Sequence, residues 1–480
     1  MKLLTLLNSL HHEEYKDFEK FLQSPFFKAS EQYLKFFKCL CKHHPAFDLG
    51  KTDLEAAYRR CFGPNSLNET KLYNLMSGLS KQIEQYLVVR MVLSADDKQG
   101  LLYEQLLTKS LGKRNMGPYF RKEAQRLIDD TMKHPSYEID DYLALNQIHH
   151  EIYFNPDTPK FEEHPPHLKL AVEYLDLYYC LAKLRYAAEM KTRERIYNYH
   201  YELPLLEAVA THIASPERLD AHPLLAIYYR LVNLYQKGVT ERDFRELMTV
   251  FVEKFHVIPK VEQRALLPHL MNCGSSLMSR DCVVEAELLS LYKLAIDTKV
   301  LLTGDRITHI SFLNIVNLAG LCNEYDWANT FIEQFSPYLE ENKREPSVDL
   351  AKAGLYYKQG WLDKAQTFLK PEIFQISLFD IIARAILIRI AFDRYVLQGK
   401  DYEFLTAQIN AFEKFVQSQT FSATKRATEL NWVRFVRKMA TAKFEMVEVP
   451  ESKKETLRRS LKPLQPVISK KWLEERIGWL

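Results

Sequence analysis

Asn323-Glu-Tyr-Asp-Trp-Ala-Asn-Thr-Phe-Ile332 returns, altered but legible, 37 residues later as Gly360-Trp-Leu-Asp-Lys-Ala-Gln-Thr-Phe-Leu369. Asp326 matches Asp363, Ala328 matches Ala365, Thr330 matches Thr367 and Phe331 matches Phe368, with an aliphatic residue after each phenylalanine. A recurring unit of this length marks stacked helical hairpins, each of which buries its apolar face only against its neighbours. The expected fold is therefore all-α, built of antiparallel helix hairpins.

Composition agrees. The chain has 480 residues, more than one ordinary domain, so two or more domains or one extended array are expected. Glycine is scarce, 14 residues in all, against an average share of about 7%. A parallel-sheet enzyme with phosphate loops would want more. Hydrophobic residues at 47% and charged residues at 26% describe a folding chain that is neither disordered nor membrane-embedded. No window approaches a membrane span, and the apolar run opening the chain turns polar at Asn8, too short for a signal-peptide core. Seven cysteines, odd in number and irregular in spacing, read as reduced thiols in a cytoplasmic protein.

Helical periodicity runs almost throughout. Ser66-Leu-Asn-Glu69 reads as a capping box, followed by one apolar stripe of Leu72, Leu75, Met76, Leu79, Ile83, Tyr86 and Leu87. Further helices are expected at 12–22, 30–43, 52–62, 98–111, 118–133 and 137–153, punctuated by prolines. Between Asn155 and His167 a cluster of prolines precludes a continuous helix. The expected division is thus an N-terminal helical domain (1–155), a proline-rich hinge (156–167), a repeat array (168–450) and a basic C-terminal segment with a capping helix (451–480). A long helix opens the array at 168–199. Hairpins are expected at 222–236 with 241–255, 260–277 with 283–298, 306–321 with 326–340, 348–358 with 361–369, and 376–397 with 401–417. A helix at 423–445 and a short one around Trp472 and Trp479 close it. A terminal unit must cover its neighbour's exposed face, a task suited to Trp472, Leu473, Ile477 and Leu480.

Residues 349–369 resemble a tetratricopeptide repeat, with Ala353, Tyr356, Gly360 and Ala365 at that motif's small, aromatic, glycine and alanine positions. The preceding copy has Ala319 for the tyrosine and Asn323 for the glycine, and Asn also tolerates the left-handed turn. The resemblance implies a right-handed superhelix that binds peptides or partner helices along a concave surface. Tyr15-Lys-Asp-Phe-Glu-Lys-Phe-Leu-Gln-Ser-Pro-Phe-Phe27 and Lys183-Leu-Arg-Tyr-Ala-Ala-Glu-Met190 also look like an uncharacterised family of bacterial helical proteins. That second likeness supports the fold and implies no chemistry.

Two surfaces stand out as candidate binding sites. On the 168–199 helix, Arg185, Glu189 and Arg193 are four apart and form a ladder along one face among tyrosines, suited to a carboxylate or phosphate. A solvated salt ladder beside a tyrosine-lined core is the plainer account. In the repeats, the first helix of each hairpin normally lines the concave surface, which directs Asn317, Tyr357 and Lys358 there. Asn and Lys would hold a peptide backbone or terminal carboxylate, and Tyr357 would add apolar contact; ordinary exposed helix residues are the alternative.

Other chemistry is thinly represented. Cys39 and His43 share a helix face, but no second ligand pair completes a zinc site. Gly112-Lys-Arg-Asn-Met-Gly117 has the residue types of a phosphate loop in the wrong order, and there is no GxSxG. No motif asks for a cofactor. Residues 423–480 hold 14 Lys and Arg against 7 Asp and Glu, read as a solvated basic face or an anion-binding tail. The expected function is non-catalytic binding of a protein or peptide by a scaffold or adaptor. A nucleic-acid-associated regulator with a repeat sensor and an unrecognised all-α enzyme are the alternatives.

Overall fold

In the computed structural model the described residues are 2–27, 29–43, 49–64, 68–93, 97–134, 138–156, 164–197, 200–278, 282–302, 304, 306–370, 373, 377–399, 401–421, 423–446 and 448–480. Among them the chain is all-α, with no strand. Its helices are α1 (Lys2–Ser9), α2 (Glu14–Gln23), α3 (Glu31–Leu40), α4 (Lys51–Phe62), α5 (Glu69–Leu93), α6 (Asp97–Lys113), α7 (Gly117–Met132), α8 (Ile139–Phe154) and α9 (Pro166–Tyr197). There follow α10 (Leu206–Ile213), α11 (Pro216–Ala221), α12 (Pro223–Lys237), α13 (Glu241–Lys254), α14 (Lys260–Met278), α15 (Glu285–Asp297), α16 (His309–Leu321) and α17 (Tyr325–Phe335). The series ends with α18 (Glu341–Lys358), α19 (Leu362–Thr367), α20 (Ser377–Gln398), α21 (Tyr402–Ser418), α22 (Ala423–Glu445), α23 (Glu451–Leu461) and α24 (Lys470–Trp479). None is long and apolar enough to cross a membrane.

The helices gather into two compact units, one of residues 1–134 with 140–176 and one of 135–139 with 177–480. In the first, the α5 stripe does what its periodicity predicts. Leu72, Leu75, Met76, Leu79, Ile83 and Tyr86 are buried with Phe18, Phe36 and Phe37 from α2 and α3. A smaller core joins Phe120, Ala124 and Leu127 of α7 to Leu145 and Ile148 of α8. Ser66 of the expected capping box and residues 157–163 of the proline-rich segment lie outside the described residues.

In the second unit the hairpin logic is explicit. α16 packs on α17 and α18, α18 on α19 and α20, and α20 on α21 and α22, so alternate helices form one layer. The two copies of the quoted stretch fold alike. Asn323 and Gly360 both take the left-handed backbone, at φ 59 and 80. Each is followed by the same turn-closing bond, Glu324 N to Ala319 O at 2.9 Å and Trp361 N to Tyr356 O at 3.0 Å. Those pairs sit one repeat apart, so the recurrence in sequence is a recurrence in backbone geometry. Ala328 and Ala365 are both fully buried, leaving room for the second helix of each hairpin to approach the first.

Boundaries differ where proline misleads. The expectation of a helix from 348 stops short of Pro346, yet α18 begins at Glu341 with Pro346 inside it. A proline this early costs one helical hydrogen bond, and the Ser347 hydroxyl donates to Lys343 O at 2.6 Å nearby. The short α1, α10, α11 and α23 were also not anticipated. At the other end, Leu473, Ile477 and Leu480 are buried against Trp432, Val436 and Leu461, with Trp472 packed on the same cluster.

Candidate functional site

The layer of α16, α18 and α20 carries the candidate site. Lys358 is the last residue of α18, and its side chain crosses Gly320 of α16: a Cβ there would stand 2.7 Å from Lys358 Cδ. The missing side chain lets Nζ reach one turn back to Asn317, donating to Oδ1 at 2.7 Å. Two of the residues expected on this surface, Asn317 and Lys358, are thus joined. The third, Tyr357, is turned inward and is only 8% exposed.

Tyr357 anchors an internal network. Its hydroxyl donates to Asp393 Oδ2 at 2.8 Å and accepts from Trp472 Nε1 at 2.7 Å and Arg476 Nη2 at 3.1 Å. Arg476 grips the same carboxylate, through Nε to Oδ1 at 2.7 Å and Nη2 to Oδ2 at 2.8 Å. Burial, and then the Asp393 charge, raise the Tyr357 phenol well above its ordinary range. The network ties α18, α20 and α24 together, and every member has a partner.

Arg389, one turn before Asp393 on α20, is different. Its Nη2 donates to Ser469 Oγ at 2.6 Å, and its guanidinium lies over Trp432 and Trp472, 5.4 and 5.7 Å from their ring centres. Its Nε is buried and has no hydrogen-bond acceptor. Among the described residues neither Arg389 nor Lys358 forms an ion pair. The two carboxylates near Arg389 are already engaged, Asp393 by Arg476 and Glu429 by Lys425 at 2.5 Å. Desolvation, with the Arg389 charge behind it, pushes the Lys358 ammonium down to about 7, and desolvation lowers Arg389 as well. The site therefore presents two basic groups, Arg389 and a Lys358 divided near neutrality between ammonium and amine, each bonded to a neutral partner and both partly accessible to solvent.

The other expected surface is organised as a seam. Arg185 of α9 pairs with buried Glu262 of α14 at 3.0 Å, and Tyr228 of α12 donates to the same carboxylate at 2.7 Å. Arg193 pairs with Glu189 at 2.9 Å, so the ladder closes between those two while Arg185 turns to α14. Buried His269 lies 2.9 Å from Thr192 Oγ1 and 3.2 Å from the Tyr235 hydroxyl, with Nε2 4.0 Å from Glu189. Its burial lowers its proton affinity, against the pull of Glu189.

Arg389, Ser469 and Asp393 escaped sequence reasoning. A signal existed: Arg389 interrupts the apolar run Ile386–Phe392 of α20 and Asp393 follows it directly, four residues on, where a charge demands an explanation. The Cys39 and His43 pair is not joined by further ligands. Among the described residues no group of three or more His, Cys, Asp or Glu is placed to hold a metal. No family model matches this chain, no curated protein matches it, and no solved structure matches it.

Proposed function

We propose that this chain is a non-catalytic scaffold or adaptor of the cytoplasm. Its stacked hairpins form a tetratricopeptide-like superhelix and take a protein or peptide partner on the α16–α18–α20 face. The observation that carries the reading is the half-buried basic pair, Lys358 and Arg389, which bond the neutral Asn317 and Ser469 and, among the described residues, no carboxylate. Cations so placed favour an acidic group on the partner, because the desolvation they have already suffered strengthens a charge-assisted bond. The α9 seam spends its charges internally and serves packing.

Several cations of the basic segment are paired within the fold. Arg437 pairs with Glu413, Lys425 with Glu429, Arg458 with Glu451, Arg459 with Glu455 and Arg476 with Asp393. Only Glu413 and Asp393 lie outside residues 423–480, so these pairs offset two of the seven excess positive charges there.

The test is co-purification of the tagged chain from its own cells, with Lys358→Ala and Arg389→Ala in parallel. A stoichiometric protein partner, retained by wild type and lost from both variants at unchanged helix content, supports the scaffold. Partner recovery that is indifferent to both substitutions rejects this face, and recovery of nucleic acid with a steep salt dependence rejects the scaffold altogether.

A further inference from the structure

We propose that Cys39 and Cys61 are a modification site, a dithiol that a hydroperoxide oxidises to an intramolecular disulfide joining α3 to α4. The inference concerns the first unit and stands whether or not a partner binds the α16–α18–α20 face.

All seven cysteines are free thiols; Cys39, Cys41, Cys61, Cys282 and Cys322 are partly exposed, and Cys180 and Cys273 are buried. Geometry sets Cys39 and Cys61 apart. The Cys61 thiol donates to Lys35 O at 3.5 Å. Lys35 lies four residues before Cys39 on α3, and a helical side chain leans back toward the N-terminus over the preceding turn. The sulfur of Cys39 is thereby directed to the turn on which the sulfur of Cys61 already rests. The two thiols are hydrogen-bonded to each other. From that contact the sulfurs have only to close to the bonded length of about 2.05 Å.

The surroundings favour this pair over any other. α3 packs on α4, and both cysteines rest on the core that holds Phe36, Phe37, Leu54, Ala57 and Tyr58. Their partial exposure admits a small peroxide. Cys41, two residues from Cys39, has Tyr15 and Glu19 of α2 as its electrostatic neighbours instead. It is therefore an internal control, close in sequence and differently placed.

The oxidation balances with the hydroperoxide as the two-electron acceptor. The Cys39 thiolate attacks the terminal peroxide oxygen, an S–O bond forms, and the O–O bond breaks. The departing alkoxide, or hydroxide, takes up the proton that Cys39 lost. Cys61 sulfur then attacks the Cys39 sulfenic sulfur, the S–S bond forms, and the S–O bond breaks. Hydroxide leaves and carries the Cys61 proton away as water. Thiolate, not thiol, is the nucleophile in such chemistry. Burial pushes the Cys61 thiol up to about 12, with Cys39 adding to the rise and Lys42 relieving part of it. Cys61 therefore takes the second step, and the pair responds to sustained rather than brief exposure to peroxide.

The experiment uses the purified full chain, reduced and then freed of reductant. Hydrogen peroxide is added, remaining thiols are blocked with N-ethylmaleimide, and unreduced peptides are mapped by mass spectrometry. The thiol count is expected to fall from seven to five, with the Cys39 peptide cross-linked to the Cys61 peptide, and dithiothreitol should reverse both changes. Cys41→Ser should keep the cross-link. Cys61→Ser should abolish it and leave on Cys39 a sulfenic acid that dimedone captures. A cross-link lost in Cys41→Ser, one formed between chains, or thiol loss in no fixed pair overturns the proposal. The same oxidation in urea needs no folded variant: there the preference for Cys39 with Cys61 should vanish. A preference unchanged by urea would mean that chain proximity selects the pair, and the proposal would fall.

Discussion

The seam along α9 and the face across α16, α18 and α20 are both polar stripes on helices of one unit, yet they are built on opposite rules. Along the α9 seam both arginines meet an opposite charge: Arg185 meets Glu262, and Arg193 meets Glu189. Across the other face Lys358 meets an amide and Arg389 meets a hydroxyl. The first arrangement is closed, because desolvation is compensated within the fold. The second leaves Arg389 and Lys358, among the described residues, without a carboxylate of their own.

That contrast is breakable by measurement. The largest effect is expected at Glu262→Ala, which strands Arg185 and the Tyr228 hydroxyl beside a lost carboxylate. Arg185 is 37% exposed and regains water, so the cost is mainly that of the unsatisfied buried Tyr228 hydroxyl, about 1–3 kcal/mol, and urea denaturation should show a loss of that order. A loss below about 1 kcal/mol would place the seam among the surface pairs that contribute little.

Lys358→Met should go the other way. Below about pH 7 the folded chain must carry the ammonium in a site that resists it. Between about 7 and the ordinary lysine value of 10.5 the folded chain sheds a proton that the unfolded chain keeps. Wild-type stability should therefore climb with pH across that window relative to Lys358→Met, and fall as pH drops through about 7. At neutral pH the variant should be more stable by on the order of 1 kcal/mol, the shift being discounted for the partial exposure of Lys358. Equal slopes for the two proteins would mean that Lys358 is an ordinary lysine.

Gly320→Ala tests how the lysine is held. The new methyl displaces the stem from α16, which weakens the Asn317 bond and returns the amine toward ordinary basicity. Helix propensity offsets the packing cost, so stability should change by less than about 1 kcal/mol while the lysine's titration by NMR shifts upward. Smallest of all is Arg193→Ala. Its pair with Glu189 is exposed on both sides, at 53% and 54%, and such i,i+4 pairs contribute about 0.2–0.5 kcal/mol. A larger effect would mean that Glu189 acts through His269.

How much of this was legible beforehand depends on how local each signal is. The turn at Asn323 and Gly360 could be read because left-handed backbone leaves a mark on residue choice. The α5 stripe could be read because period 3.6 needs only its own helix. The pairing of Asn317 with Lys358 was within reach, since the repeat offset placed both on one layer. The inward turn of Tyr357 was not, because its partners Asp393, Trp472 and Arg476 lie far downstream. Arg185 had two possible acceptors, Glu189 four residues on and Glu262 on another helix, and only packing chose between them.

The latch between Tyr357 and Trp472 spans 115 residues. A ribosome delivers α18 and α20 long before it delivers α24, so during synthesis Asp393 waits, already committed to an apolar helix, without the Arg476 that will neutralise it. Until that cation arrives, closing α20 against its neighbours buries a carboxylate that has the Tyr357 hydroxyl but not its counter-charge. The repeats upstream are free to condense as they emerge, while this stretch is held back until α24 is made. Assembly is thereby given a direction, with the proposed binding face finished last.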